Sequence, residues 1–154
     1  QMSLYYAKIA WTLKDDEDFI DKKYSREHHW HFDGGVTVPA TASHHIVPLP
    51  FSNPDNVDPE QAFIASLSSC HMLFFLDLAS RKKYIVEEYI DNAEGVLEKV
   101  SHGKIAMTTV TLKPKITFSD DNQPTQEDID TLHHKAHELC FIANSVKTEI
   151  IIET

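Results

Sequence analysis

The segment from Asp58 to Lys83 constrains this chain more than any other. Asp58 can cap a helix, Pro59 suits the first helical position, and Gln61 completes a capping-box-like pair with Asp58. Arg81, Lys82 and Lys83 put positive charge where the C-terminal end of a helix dipole favours it. A helix of about 24 residues would run about 36 Å. Its apolar side chains do not keep to one stripe: Phe63, Leu67, Leu73 and Phe74 share a face with Cys70, while Ala65, Met72 and Phe75 lie elsewhere on the cylinder. A helix that is apolar all round is a buried one, so the rest of the chain is expected to wrap it. The run also contains Ser66, Ser68, Ser69, His71 and Asp77. Asp77 would be costly in lipid, so the segment reads as a core helix rather than a membrane span.

The flanking sequence supplies strands. Leu4 to Leu13 is rich in aromatic and aliphatic residues and reads as a first strand, followed by a charged loop, Lys14 to Lys23. His29 to Phe32 and Val36 to Val38 flank Asp33-Gly34-Gly35, a turn that tolerates positive φ, and so form a hairpin. Ser43 to Pro59 holds Pro48, Pro50, Pro54 and Pro59 without periodicity and reads as a long loop. After the helix come Tyr89 to Lys99 and Lys104 to Phe118, each read as one strand, joined by a turn at Ser101-His102-Gly103. A second helix begins at Thr125, with Asp128 three residues on, and runs to about Leu139; Val146 to Glu153 is the last strand. The order lacks the regular alternation of a doubly wound sheet, so the expected class is α+β, one domain spanning residues 1–154.

Of the 154 residues, 24 are acidic and 14 basic, giving a net charge of −10. That balance disfavours binding to nucleic acid or to an anionic membrane. The N-terminal residues show no basic start, apolar run and cleavage site, so the expected compartment is the cytoplasm, where thiols stay reduced. Only two cysteines are present, Cys70 and Cys140. Alone, each reads as a small core residue. They are too few for a disulfide scaffold or a zinc site built on sulfur, though ten histidines leave a mixed site open.

The words around the cysteines carry more. Asp58-Pro59-Glu60-Gln61-Ala62-Phe63 leads to Ser68-Ser69-Cys70-His71-Met72, with Cys70 ten residues after Glu60. Near the C-terminus, Ala136-His137-Glu138-Leu139-Cys140 leads to Ala143-Asn144-Ser145. Together these resemble the OsmC/Ohr family, the osmotically inducible and organic hydroperoxide resistance proteins, over nearly the whole chain. Tyr24 to Trp30, with Phe32-Asp33-Gly34-Gly35, resembles an OsmC-like branch rather than the Ohr proteins themselves. The resemblance implies an OsmC-like fold: antiparallel sheets around a long central helix, in an intertwined homodimer.

It also implies a cofactor-free thiol peroxidase for organic hydroperoxides, with hydrogen peroxide as a further substrate. Cys70 is then the attacking thiol and Cys140 the one that condenses with its sulfenic acid. A dithiol of the lipoyl kind is the implied reductant. An arginine held by the motif glutamate would activate the thiolate, since a cation offsets burial of the charge. Glu60 matches directly; Arg26 is the candidate arginine, because Arg81, the other one, reads as a helix-end charge. Ten residues of straight helix separate Glu60 from Cys70 by about 15 Å, so Glu60 of a second subunit is expected to complete the site.

Three other readings stay open. An OsmC-like fold could bind a small apolar ligand, with the cysteines incidental; Tyr24, Trp30, Phe51, Phe63, Phe74 and Phe141 could line its pocket or simply pack. A metal site could draw on His28, His29, His31, His44 and His45, or on His133 and His137, which are four apart on the second helix. A cysteine protease or transferase would pair Cys70 with a distant histidine, but no nucleophile-loop signature is present. His71, beside Cys70, reads as a core residue or a support for the thiol. Phe141 stands where many relatives of the family have proline, which leaves open how the turn after Cys140 is held.

Overall fold

The computed structural model describes residues 2–154. The chain forms two compact units, residues 1–62 and 63–154.

The first unit carries a three-stranded antiparallel sheet: β1 (Lys8–Ala10), β2 (His28–His31) and β3 (Thr37–Ala40), in that order. The hairpin between β2 and β3 turns where expected. Phe32 N–H donates to Val36 O, and Gly35 takes φ 89°, a conformation that suits glycine. The first strand is far shorter than Leu4 to Leu13, because only Lys8, Ile9 and Ala10 find partners on β2. Residues 41–58 form no helix or strand and are tied by side chains: Asn53 N–H donates to Thr41 Oγ1, and Asn53 Nδ2 to Glu27. The buried residues here are small or polar: Ala40, Thr41, Ser43, Ser52 and Asp58. Ile9, Trp11, Leu13, Phe19 and Ile20 are exposed.

Helix α1 (Pro59–Arg81) starts on the expected cap. Gln61 N–H donates to Asp58 Oδ1 at 2.8 Å, and Asp58 N–H donates to Gln61 Oε1 at 3.0 Å. The helix ends two residues before Lys83, which takes φ 65°.

The second unit packs strands and a second helix against α1 from Phe63 onward. The expected strand Tyr89 to Lys99 is two strands, β4 (Val86–Asp91) and β5 (Glu94–Lys99). Lys104 to Phe118 is likewise β6 (Ile105–Leu112) and β7 (Pro114–Phe118). β4 pairs with β7 in one sheet; β5, β6 and β8 (Glu149–Ile152) form another. Each long run is thus shared between two sheets, and the breaks fall at Asn92-Ala93 and Lys113. Asp91 holds the corner: its carboxylate accepts from Lys113 N–H at 2.6 Å and from Ser68 Oγ on α1. The sheets are not all antiparallel, since β6 and β8 run parallel, Val110 opposite Ile150. Helix α2 (Gln126–Leu139) begins with a full capping box between Thr125 and Asp128.

Two apolar clusters fill this unit. Phe75, Ala79, Leu132 and Ala136 join α1 to α2, with Tyr89, Ile116 and Phe118 packed beside them. Leu67, Val110 and Leu112 join α1 to the β5–β6–β8 sheet, with Phe63, Ile64 and Ile150 around them. Gly95 permits that approach: a Cβ there would run into the Met107 and Ile64 side chains.

The expectation of a helix buried all round needs correction. Its fully buried residues are Leu67, His71, Phe75 and Ala79, one stripe at a spacing of four. Phe75 is on that stripe, whereas Leu73 is 59% exposed and Cys70 is only partly buried. The single chain therefore leaves apolar surface on α1 uncovered.

Candidate functional site

The two cysteines meet in the second unit. Cys70 lies mid-way along α1, and Cys140 immediately follows α2. Both are free thiols; Cys70 is partly buried and Cys140 fully. Burial pushes the Cys140 thiol above its ordinary value, and the neighbouring Cys70 side chain pushes it further. Backbone N–H groups oppose this: Ala143 N–H points at Cys140 Sγ at 3.4 Å. At pH 7 the Cys140 thiol is therefore protonated, with Cys70 beside it.

The turn after Cys140 is held without the proline. Cys140 N–H donates to Ala136 O, and Asn144 N–H returns to Cys140 O at 3.0 Å. Asn144 Nδ2 donates to Glu138 O and Ser145 Oγ to Phe141 O. The Phe141 ring lies edge-on to Phe74 of α1, centroids 5.0 Å apart. That contact ties the turn to the helix that carries Cys70.

Arg26 and Glu60 both belong to the first unit, and they do not pair with each other there. Arg26 lies over the Tyr24 ring, 3.6 Å from its centroid, and donates to Lys22 O and Tyr24 O. Tyr24 is itself stacked on Phe19 and edge-on to Trp11. The guanidinium is thus held on an aromatic platform rather than free in solvent. Glu60 is in the first turn of α1, where burial and the charge of Asp58 raise its carboxyl pKa. The unbroken α1 leaves ten residues of helix between Glu60 and Cys70, so the helix itself does not bring them together.

Sequence reasoning left the role of His71 open and read His133 only as a candidate metal ligand. His71 Nε2 and His133 Nδ1 are hydrogen-bonded at 2.9 Å, and both rings are buried. Desolvation lowers each imidazole to about 4; nearby His133 and His137 add to the effect on His71, while Asp130 and Asp91 oppose it on His133. Both rings are therefore neutral at pH 7. The unfolded chain takes up protons first as pH falls from about 6.5, so the pair subtracts stability progressively down to about pH 4. Counting every fourth residue along α1 would have found the stripe Leu67, His71, Phe75, Ala79. The histidines do not gather as metal ligands: among the described residues no three His, Cys, Asp or Glu side chains could share an ion. His134 turns instead to Glu138, 2.6 Å away.

Residues 52–154 match the family described as OsmC-like protein. An OsmC-like protein of unknown function from Vibrio cholerae is 53% identical, with a TM-score of 0.97 over 99% of each chain. This chain belongs to the OsmC-like family. Two organic hydroperoxide resistance proteins share its fold at lower identity. The one from Legionella pneumophila is 19% identical, with a TM-score of 0.68 over 99% of this chain and 96% of its own. OhrB of Bacillus subtilis is 20% identical, with a TM-score of 0.65 over 98% of each chain. None of the curated proteins matches. The α+β OsmC-like architecture expected from the motifs is thus shown, with the two cysteines of this family member brought together from its two helices.

Proposed function

We propose that this OsmC-like protein is a cysteine-based hydroperoxide reductase acting in oxidative-stress defence in the cytoplasm. The observation that carries the reading is the meeting of Cys70 and Cys140, seventy residues apart, at the junction of α1 and α2. The Cys70 thiolate attacks the terminal oxygen of an organic hydroperoxide. The O–O bond breaks, Cys70 becomes a sulfenic acid, and the alkoxide takes a proton to leave as an alcohol. Cys140 then attacks the oxidised sulfur, a disulfide forms and water leaves. A dithiol of the lipoyl kind returns both thiols. Hydrogen peroxide would enter by the same step.

Arg26 supplies the cation that favours the Cys70 thiolate, and Glu60 anchors and orients it, in a homodimer in which a partner copy completes the constellation. Two observations support the homodimer. The first unit buries no large apolar side chain while exposing Ile9, Trp11, Phe19 and Ile20, and α1 leaves Leu73 uncovered. Surface of that kind is covered by a partner in stable proteins. Sedimentation should return twice the 17.6 kDa chain mass at micromolar concentration; a monomer that retains full turnover would refute the shared site.

A second reading, apolar ligand binding without peroxidase chemistry, is favoured by a groove of about 570 Å³ lined by Phe63, Val100, Ala106, Met107 and Val146. One experiment separates the two. The reduced protein is treated with one equivalent of cumene hydroperoxide, quenched with a thiol alkylator and mapped by mass spectrometry. The peroxidase reading requires a Cys70–Cys140 disulfide. Two fully alkylated thiols would overturn it in favour of the groove.

A further inference from the structure

We propose that the buried His71–His133 hydrogen bond is a positioning latch that sets the rotation of α2 on α1 and so holds Cys140 within disulfide reach of Cys70. The proposal rests on Cys70 and Cys140 being a redox pair, and it adds two residues that neither motif contains as a functional position.

The argument begins with what a disulfide demands. Two cysteines close a bond only when their Cα atoms lie within about 4.4–6.8 Å and their Cβ atoms face each other. Here the cysteines sit on different elements, so that geometry depends on how α2 lies against α1. The apolar part of the contact is Phe75, Ala79, Leu132 and Ala136. Apolar packing is strong but non-directional, and two of these four side chains are single methyl groups. Such a surface sets the rotation of one helix on the other less sharply than a directional bond does, and a shift of about an ångström would move the thiols apart.

The directional element is the histidine pair. Among the described residues, His71 Nε2 to His133 Nδ1 is the one hydrogen bond that joins a side chain of α1 to a side chain of α2. The rings are nearly parallel, 7° apart, with centroids separated by 5.2 Å. Phe75 backs the His133 ring at 4.4 Å. His71 is 1% exposed and His133 3% exposed, so water does not compete for the bond. His71 Nδ1 has no partner among the described residues, which leaves this single bond to orient its ring. Each latch residue is tied to one thiol. His71 is the next residue after Cys70 on α1. His133 lies seven residues, two turns or about 10 Å, before Cys140 on α2.

The bond needs one protonated and one bare nitrogen between the two rings. The groups facing it are His137 and Asp130 from α2 and Asp91 from β4, with Tyr89 of β4 against Phe75. Burial outweighs the two carboxylates, so both rings stay neutral and the latch stays closed at neutral and mildly acidic pH. In strongly acidic solution, once both rings have taken a proton, the acceptor is lost and the two charges repel.

The test uses glutathione rather than peroxide, so it does not depend on the peroxidase reading. The reduced chain is equilibrated with glutathione buffers at pH 7: dithiol protein and one glutathione disulfide give disulfide protein and two glutathione thiols. The equilibrium constant is the effective concentration of one thiol for the other. His133→Phe keeps a ring and removes the bond; it is expected to lower that constant at least about tenfold. His133→Asn places an amide where Nδ1 was and is expected to stay within about threefold of the wild type. His133→Gln places its amide at the other ring nitrogen and should behave as phenylalanine does. If Phe fails to fold, the Asn and Gln comparison carries the test. Equal constants for Asn and Gln, or an unchanged constant in Phe, would overturn the latch. A common fall in Tm without the Asn–Gln difference would assign the pair to packing alone. Should peroxide oxidise neither thiol while the glutathione constants follow the predicted order, the latch stands and the peroxidase reading fails.

Discussion

Cys70→Ser is expected to reduce dithiol-dependent turnover of cumene hydroperoxide to background, a loss on the order of a thousandfold or more. The thiolate is the nucleophile in this chemistry, and a serine hydroxyl neither ionises near neutral pH nor attacks a peroxide oxygen at a useful rate. Cys140→Ser should behave differently. With one equivalent of peroxide Cys70 would still react once, giving one equivalent of alcohol, and then stop; a second equivalent would be spent on its sulfenic acid. Its sulfenic acid, with no thiol beside it, would proceed to the sulfinic acid under excess peroxide. Stopped-flow peroxide consumption distinguishes a missing burst from a single-turnover burst, and intact-mass measurement reads two added oxygens on Cys70. Because Cys70 is only partly buried, its replacement should leave thermal stability close to that of the wild type. A Cys70→Ser protein that keeps a tenth of the wild-type turnover would remove Cys70 from the attacking role.

Phe75→Ala is expected to cost about 3–5 kcal/mol of stability, read by urea denaturation at pH 7. Phe75 is fully buried at the centre of the α1–α2 cluster. Its ring meets His133 at 4.4 Å, Tyr89 at 5.8 Å and Phe118 at 6.5 Å. Removing it deletes apolar contact and leaves a cavity that Ala79 and Ala136 are too small to fill. A loss of this size is a large share of the stability of an ordinary domain, about 5–15 kcal/mol. It would also free the His133 ring on one side, so disulfide formation should weaken along with stability. A measured loss under about 1 kcal/mol would show that the cluster collapses around the gap, and that α2 is held chiefly by other contacts.

Local signals translated well. The Asp58–Gln61 and Thr125–Asp128 pairs mark helix starts because each box is a reciprocal bond made within four residues. The Asp33-Gly34-Gly35 turn is equally local. Strand runs were legible as extended chain but not as members of particular sheets. Nothing in Tyr89 to Lys99 says that β4 pairs with β7 while β5 pairs with β6, because pairing is chosen by distant segments. The reading of Lys104 to Phe118 as one strand passed over Pro114, which stands just after the second break because proline cannot continue the ladder that β6 makes. The parallel β6–β8 pair was invisible for the same reason: a strand carries no record of its neighbour's direction.

The candidate site divides along the same line. Cys70 and Cys140 were legible as a pair through the words around them, whereas the parts given to Glu60 and Arg26 rest on the resemblance. The pairing of His71 with His133 was not legible, because it exists only once α1 and α2 are packed, sixty-two residues apart in sequence. The burial of α1 was overestimated from composition: apolar residues lie all round it, yet the chain covers only the stripe Leu67, His71, Phe75 and Ala79. The sequence by itself determined where the helices begin, what family the chain resembles and which two thiols the family motifs mark, since all of these reside in short contiguous patterns. The tertiary structure alone decided that Cys140 is the deeply buried thiol, that two neutral histidines join its helix to that of Cys70, and which face of α1 is left uncovered. Those are facts of long-range packing, and no local pattern encodes them.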